Sequence, residues 1–155
     1  MSAGFGARLA AATADHGPLC VGIDPHPGLL ADWGLPDDAS GLREFGLRVV
    51  EADGGRVAAV TQQSAYFARL GWRGVAALEE VLAAARAAGT LTIMDAKRGD
   101  IGSTMAAYAD AYLRDGSPLA ADALTVSPYL GFGSLQPAVD AALETGRGLF
   151  VLCLT

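Results

Sequence analysis

The sequence is almost devoid of lysine. Of its eleven Lys and Arg residues, ten are arginine and one is lysine, Lys97. Arginine keeps its proton at physiological pH, whereas the ammonium group of lysine can release one, and its pKa moves readily when the side chain is partly buried. Aspartates stand on both sides of Lys97, at Asp95 and Asp100. The single lysine is therefore the first candidate for acid–base chemistry.

Charged residues and long apolar runs are also scarce. Charged residues make up 18% of the sequence and hydrophobic residues 52%, as in a globular protein. No apolar run approaches the roughly 20 residues of a membrane span, so we predict no membrane association. The net charge of −6 argues against a nucleic-acid partner. The Ala-rich segment 1–19 lacks the pattern of a signal peptide, which favours a cytoplasmic protein.

Cysteine occurs twice, at Cys20 and Cys153, each within a strand-like run. We predict that both are buried free thiols in a reducing cytoplasm. No Cys/His spacing resembles that of a zinc site, and no metal site is predicted.

Short apolar runs alternate with segments of helical periodicity along the chain. The sequence predicts buried strands at 19–23, 57–60, 91–94, 123–126 and 149–154. It predicts helices at 5–14, 41–52, 75–88, 103–113 and 134–143, and a short turn at 64–70. Ser103 is the expected N-cap of one helix, and Gly89 the expected C-cap of another.

Alternating strands and helices of this kind predict an α/β fold with a parallel sheet, as a single domain over 1–155. Continuous apolar strands favour a sheet that is covered on both faces. Polar residues follow the strands, at Asp24, Thr61, Asp95 with Lys97, and Ser127. Parallel α/β folds place their functional sites at that edge, so we expect a site there.

The segment from Asp95 to Asp100 carries the main chemical signal. Strand side chains alternate, which puts Asp95 and Lys97 on one face, about 7 Å apart and able to interact through a shared ligand. Carboxylates would keep the lysine charged, and a charged, positioned lysine can protonate a carbanion. An arbitrary Asp-x-Lys-x-x-Asp is more often a solvated surface cluster, but here it follows a buried strand.

This segment also carries a family resemblance. The run 95–104, with 21–25, 63–67, 124–131 and 148–152, resembles orotidine 5′-phosphate decarboxylase of the actinobacterial type. The resemblance extends over essentially the whole chain. It implies a partial TIM (β/α)8 barrel, roughly its first five βα units, truncated after the fifth strand.

The resemblance also implies an activity and a set of site residues. The reaction would convert orotidine 5′-phosphate to uridine 5′-phosphate and carbon dioxide, without metal or organic cofactor. Lys97 would donate a proton to C6 of the pyrimidine, and Asp95 would lie beside the scissile carboxylate. Asp24 would contact the ribose. Asp100 and Thr104 would reach the site of a partner subunit, so the family's active sites are shared across a homodimer.

The chain departs from the family pattern in two ways. The family has a second lysine after the second strand, where this sequence has Thr61. Three carboxylates would then share one cation, so we expect at least one to be protonated more easily and the chain to be a weak or inactive catalyst. The family's phosphate-binding arginine would lie beyond the fifth strand, and neither Arg114 nor Arg147 is assigned that role. Two unpaired sheet edges predict poor solubility as a monomer.

Two other functions stay open on the sequence alone. One is a related magnesium-dependent sugar-phosphate lyase or synthase, which shares the Asp-x-Lys-x-x-Asp frame. The other is a non-catalytic half-barrel that dimerises or binds a nucleotide. Trp33, Trp72 and Tyr66 are expected to be packing residues, and His26 a solvated loop residue.

Overall fold

Within the residues described by the computed structural model, 3–154, five parallel strands form one sheet. Met1, Ser2 and Thr155 lie outside the described residues, and so do the two ends of the predicted 1–155 domain. The strands are Cys20–Ile23 (β1), Ala59–Gln63 (β2), Leu91–Arg98 (β3), Ala123–Val126 (β4) and Gly148–Val151 (β5). The helices are Phe5–His16 (α1), Pro27–Asp32 (α2), Ala39–Asp53 (α3), Ser64–Ala68 (α4), Gly71–Ala87 (α5), Gly102–Leu113 (α6) and Gln136–Thr145 (α7), with a 3-10 turn at Phe132–Leu135.

The strands lie side by side in the order in which they occur along the chain. Each parallel pair is joined by at least one helix, which confirms the predicted alternation of strands and helices. One face of the sheet packs against these helices. Val60, Met94 and Leu124 on that face are fully buried and belong to one core cluster with helical residues such as Leu42 and Val81. The main core therefore lies between the sheet and its helical layer.

The opposite face of the sheet is covered mainly near the amino ends of its strands. Phe5 of α1 is buried there against Ala59, Ile93 and Ala123. The rest of this face is open, and Phe150 on it is 41% exposed. The prediction of strands covered on both faces is therefore wrong for the edge strands: Ile23 is the one buried residue of β1, and β5 has none.

The same openness corrects the prediction for the cysteines. Both Cys20 and Cys153 are free, as expected, but both are exposed instead of buried. Cys20 begins an edge strand, and Cys153 follows the other edge strand, β5. Their apolar neighbours in the sequence indicated burial, but an edge strand with one uncovered face does not provide it.

Several boundaries differ from the expected ones. β2 begins at Ala59 and extends to Gln63, and β3 continues through Arg98, so both carry polar residues inside the strand. Ser103 is not an N-cap, because α6 begins at Gly102 and is preceded by Ile101, without a side-chain cap. Gly89 adopts a left-handed φ of 74° directly after the last residues of α5, as a C-cap glycine does.

Helix α2 was not predicted, because it has only six residues. Pro27 occupies its first turn, and His26 caps it: the Nδ1 atom of His26 accepts a hydrogen bond from the amide of Leu29 at 3.2 Å. His26 is exposed, as expected, but it has this structural role as well.

The aromatic residues divide into two groups. Trp33 packs on Phe45, with ring centroids 4.6 Å apart, and Tyr66 is partly buried beside His26. Trp72 is 72% exposed, so its prediction as a packing residue is wrong. Among the helices of residues 3–154, none is long and apolar enough to cross a membrane.

Candidate active site

Polar side chains gather at the carboxyl ends of the parallel strands, as the sequence predicts. Gln63 at the end of β2 stands in register with Asp95 of β3. Because paired residues of parallel strands point to the same face, both lie on the open face of the sheet, with Thr125 of β4 beside them. Asp24 follows β1 at the same edge.

Asp95 and Lys97 form the centre of this site. The Nζ atom of Lys97 lies 2.6 Å from each carboxylate oxygen of Asp95. The sequence predicted side chains that meet through a shared ligand, whereas the structure joins them directly. Lys97 has a left-handed φ of 48°. This conformation departs from a regular strand, so the 7 Å strand spacing does not apply.

Two neutral donors hold the carboxylate of Asp95. The Nε2 atom of Gln63 donates to one oxygen at 2.7 Å, and the hydroxyl of Thr125 donates to the other at 2.9 Å. Sequence reasoning missed both residues as members of the site. Their positions at the ends of the neighbouring strands were the available signal, since parallel strands bring their carboxyl ends together.

Asp24 is the third charged member of this edge. Its carboxyl group is exposed, but the surrounding protein displaces part of its hydration. This desolvation is the main cause that raises the pKa of Asp24, and the charge of Asp95 raises it further. Lys97 and His26 act in the opposite direction. The expectation that one carboxylate becomes easier to protonate thus agrees with Asp24, although burial outweighs charge crowding.

The open face below these residues forms a shallow cavity of about 270 Å³. Its lining consists of Thr61, Ile93, Asp95, Thr125 and Phe150. The lining of the cavity is therefore mainly apolar, with the carboxylate of Asp95 as its charged group. A second cavity, of about 330 Å³, lies next to Arg86 and Arg147, where the hydrogen bonds of Arg147 go to the carbonyls of Ala121 and Leu113 and to Asp115. Lys97 and Asp95 do not line that second cavity.

Asp100 and Thr104 do not join the pair. The Oδ1 atom of Asp100 accepts a hydrogen bond from the next amide, that of Ile101, at 2.8 Å. Thr104 is exposed in the first turn of α6. Among the described residues, neither side chain bonds to Lys97 or Asp95. Of the predicted site residues, the structure therefore brings together Asp95 and Lys97, with Asp24 close enough to share their electrostatic field.

A close backbone approach fixes the loop between the strand and α6. The amide of Ser127 donates to the carbonyl of Arg98 at 2.8 Å. A Cβ atom on Gly99 would overlap the carbonyl oxygen of Ser127, so only glycine fits at position 99. The loops after β3 and β4 are thus packed together beside Lys97.

Within residues 3–154, no three His, Cys, Asp or Glu side chains converge as a metal site would require.

Comparison with known proteins gives consistent matches. A sequence model described as the orotidine 5′-phosphate decarboxylase / HUMPS family matches residues 17–155. Proteins named orotidine 5′-phosphate decarboxylase from Nocardioides sp. and Streptomyces coelicolor are each 65% identical over 151 residues. Those alignments cover 97% of this chain and 55% and 54% of the two relatives. The chain thus spans about half the length of the curated relatives it matches.

Solved structures agree with the sequence matches. The crystal structure of a Streptomyces avermitilis homologue, 67% identical, superposes with a TM-score of 0.97 over 99% of this chain and 54% of that one. The structure of Leishmania donovani OMP decarboxylase, 36% identical, gives a TM-score of 0.80 over 98% and 54%. The five-stranded sheet is accordingly a partial α/β barrel, as predicted.

Proposed function

Because this chain belongs to the orotidine 5′-phosphate decarboxylase / HUMPS family, we propose that its strand-end site serves the decarboxylation of orotidine 5′-phosphate to uridine 5′-phosphate, in pyrimidine biosynthesis. The observation that carries the proposal is the direct pair between Lys97 and Asp95, with Nζ 2.6 Å from both carboxylate oxygens. It places the ammonium of the sole lysine of the sequence beside the carboxylate of Asp95, a residue that lines the open cavity.

The proposed step balances without an oxidant or reductant. The bond between C6 of the pyrimidine and its carboxylate carbon breaks, carbon dioxide leaves, and the electron pair stays on C6. The Nζ–H of Lys97 gives its proton to C6, and the amine later regains one from solvent. Asp95 would lie beside the substrate carboxylate, and Asp24 would contact the ribose. A fixed cation next to the developing carbanion supplies the electrostatic stabilisation.

The identity of residue 61 bears on the rate. Thr61 lies on the cavity floor, in register with Gly22 on one side and Ile93 on the other. A lysine there would face the same side of the sheet as Asp95 and would add a second cation. We therefore propose that Thr61 makes this chain a weak catalyst, or an inactive one.

The test is turnover of orotidine 5′-phosphate by the protein and three variants. Lys97→Arg keeps the charge but cannot give up a proton, so any turnover should disappear. Thr61→Lys should raise it, and Thr13→Lys on α1 controls for an added charge elsewhere. Equal, high turnover in the protein and in Thr61→Lys would refute the role of Thr61. Turnover that survives in Lys97→Arg would refute the proposed proton donor.

A non-catalytic nucleotide-binding role is the second candidate, and Thr61 is the observation that favours it. Calorimetry with uridine 5′-phosphate separates the two. Binding without turnover, in the protein and in Thr61→Lys, would support the non-catalytic role. Turnover that depends on magnesium would instead favour a sugar-phosphate lyase or synthase.

We also propose a cytoplasmic homodimer with shared sites. Among the described residues, neither Asp100 nor Thr104 makes a hydrogen bond to the Lys97–Asp95 pair, and the adjacent side chain of Ile101 is 61% exposed. Tyr129, Leu130 and Phe132, which follow β4, are 92%, 53% and 60% exposed. Such a cluster of exposed apolar side chains suits a subunit contact. Sedimentation should show a dimer that Ile101→Asp weakens, and a monomer at all concentrations would contradict it.

A further inference from the structure

We propose that Thr125 is a positioning residue whose single hydroxyl sets both the backbone of Lys97 and the carboxylate of Asp95. The catalytic role of Thr125 rests on the proposed function, whereas its contacts with Lys97 and Asp95 are independent of that function.

The pairing of β3 with β4 is irregular opposite Thr125, and this irregularity leaves backbone N–H groups of β3 in need of an acceptor. Ile93 pairs with Ala123 and Met94 with Leu124, but the next pair is Arg98 with Val126. Three residues of β3, 95–97, thus stand opposite one residue of β4, Thr125. A bulge of this kind leaves backbone N–H groups without partners in the ladder. Such groups need another acceptor, and the amide of Ala96 is partly buried.

The hydroxyl of Thr125 supplies that acceptor. Its Oγ1 atom accepts from the amide of Ala96 at 3.0 Å and from the amide of Lys97 at 2.9 Å. A hydroxyl has two lone pairs and one proton, so these two bonds leave it only its proton to share. The nearer acceptor for that proton is Oδ1 of Asp95 at 2.9 Å, and the carbonyl of Met94 is at 3.5 Å. The hydroxyl is therefore oriented toward Asp95.

Both ends of the Lys97–Asp95 pair depend on this one group. Lys97 is the one non-glycine residue with positive φ among the described residues. A residue in that conformation persists only where surrounding contacts hold it, and the Thr125 bond to its amide is one such contact. The bond to Oδ1 fixes the carboxylate that receives the ammonium. Thr125 also lines the cavity, so its side chain lies where a bound ligand can contact it.

The single lysine makes the proposal testable by NMR. A protein labelled with ¹⁵N-lysine gives one side-chain ammonium signal, that of Lys97. Thr125→Val keeps the shape but removes the hydroxyl, and Thr125→Ser restores it. Thr92→Val is the matched control, because the hydroxyl of Thr92 also joins β3 to the residue before β4, through Asp122 at 3.0 Å, but away from Lys97.

We expect Thr125→Val to move the Lys97 ammonium signal to the position found in Asp95→Asn, where the pair is absent. The amides of Ala96 and Lys97 should exchange with solvent about tenfold faster or more. Thr125→Ser should restore both readouts, and Thr92→Val should leave both near those of the parent protein. An unchanged ammonium signal in Thr125→Val, or a failure of serine to restore it, would overturn the proposal.

Turnover supplies the catalytic readout. Where orotidine 5′-phosphate is decarboxylated, Thr125→Val should lower kcat by up to about 100-fold, with less effect on KM, because the reacting groups are displaced while the cavity keeps its shape. An unchanged kcat would overturn the positioning role. If neither the protein nor Thr61→Lys turns the substrate over while the NMR differences are observed, the proposed function fails and the positioning of Lys97 by Thr125 stands.

Discussion

The ammonium of Lys97 lies 2.6 Å from both carboxylate oxygens of Asp95, and this pair is open to solvent on one side. The side chain of Lys97 is 47% exposed, and that of Asp95 is 22% exposed. A pair so accessible contributes little to the free energy of unfolding. Its exposure also leaves the ammonium within reach of a ligand in the adjacent cavity. The arrangement is therefore better suited to binding or chemistry than to stability.

Asp95→Asn should have little effect on stability but a clear effect on the electrostatics of the site. The free energy of unfolding should change by less than about 1 kcal/mol, because the pair is solvent-screened. The pKa of Asp24 should fall, because the charge of Asp95 is one of the causes that raise it. Carboxyl ¹³C NMR titration and urea denaturation measure the two quantities. Asp110→Asn, which removes a carboxylate of α6 that pairs with Arg114, is the control. An unchanged pKa of Asp24 would contradict the electrostatic effect of Asp95 on Asp24.

Asp24 should also make stability depend on pH. Its pKa is higher in the folded protein than in the unfolded chain, so the folded state holds the proton over a wider range. The contribution of Asp24 to stability is therefore present at low pH. It is lost as pH rises from the unfolded value, about 3.9, through the raised folded value.

Comparison of the protein with Asp24→Asn isolates this effect from other carboxylates. Asp38, whose pKa is lowered mainly by its hydrogen bond with Ser40, acts in the opposite sense and is common to both proteins. Relative to Asp24→Asn, the parent protein should lose stability in urea melts as the pH rises above the unfolded value of about 3.9. Thr61→Lys should reduce that loss, since a nearby cation favours the charged carboxylate. A stability difference that rises with pH would show the sign to be wrong.

Part of this strand-end edge could be predicted from the sequence. Apolar runs followed by Asp24, Thr61 and Asp95 were sufficient to predict parallel strands with a polar edge, because hydrophobic burial and strand polarity are local properties of the sequence. The fourth strand has the predicted bounds, and the third continues through Arg98. The partial barrel itself came from family resemblance, since five βα units alone do not distinguish a barrel from an open sheet.

The details that build the site were not accessible in that way. The bulge opposite Thr125 and the left-handed φ of Lys97 arise from pairing between strands about 30 residues apart. The exposure of Cys20 also depends on which strand forms the sheet edge, and apolar neighbours do not encode it. These features are tertiary, so periodicity and propensity along one strand do not predict them.

Gly99→Ala should weaken the packing of the loops beside Lys97. A methyl group at position 99 would overlap the carbonyl oxygen of Ser127, and backbone atoms cannot move aside cheaply. We expect a loss of about 1–3 kcal/mol in the free energy of unfolding, together with a changed Lys97 ammonium signal. Gly133→Ala is the matched control, because nothing lies within 4 Å of a Cβ there. Equal stability of the two variants would argue against the close approach.

Gln62 offers the opposite kind of change, a substitution that should stabilise the protein. Its side chain is fully buried, and neither its Oε1 nor its Nε2 has a hydrogen-bond partner among the described residues. A buried amide that has lost its bonds to water costs about 1–3 kcal/mol. Methionine has a similar length and no strong polar atoms, so it can fill the same space without that cost.

Gln62→Met should therefore raise the free energy of unfolding by about 1 kcal/mol, measured by urea denaturation. Gln63→Met is the matched control, because the neighbouring glutamine has a partner: its Nε2 atom donates to Asp95 at 2.7 Å. That variant should lose stability and should disturb the Lys97 ammonium signal, whereas Gln62→Met should leave the signal in place. Destabilisation by Gln62→Met would mean that its amide is hydrogen-bonded in solution, for example to a buried water, and the assignment of an unpaired amide would be wrong.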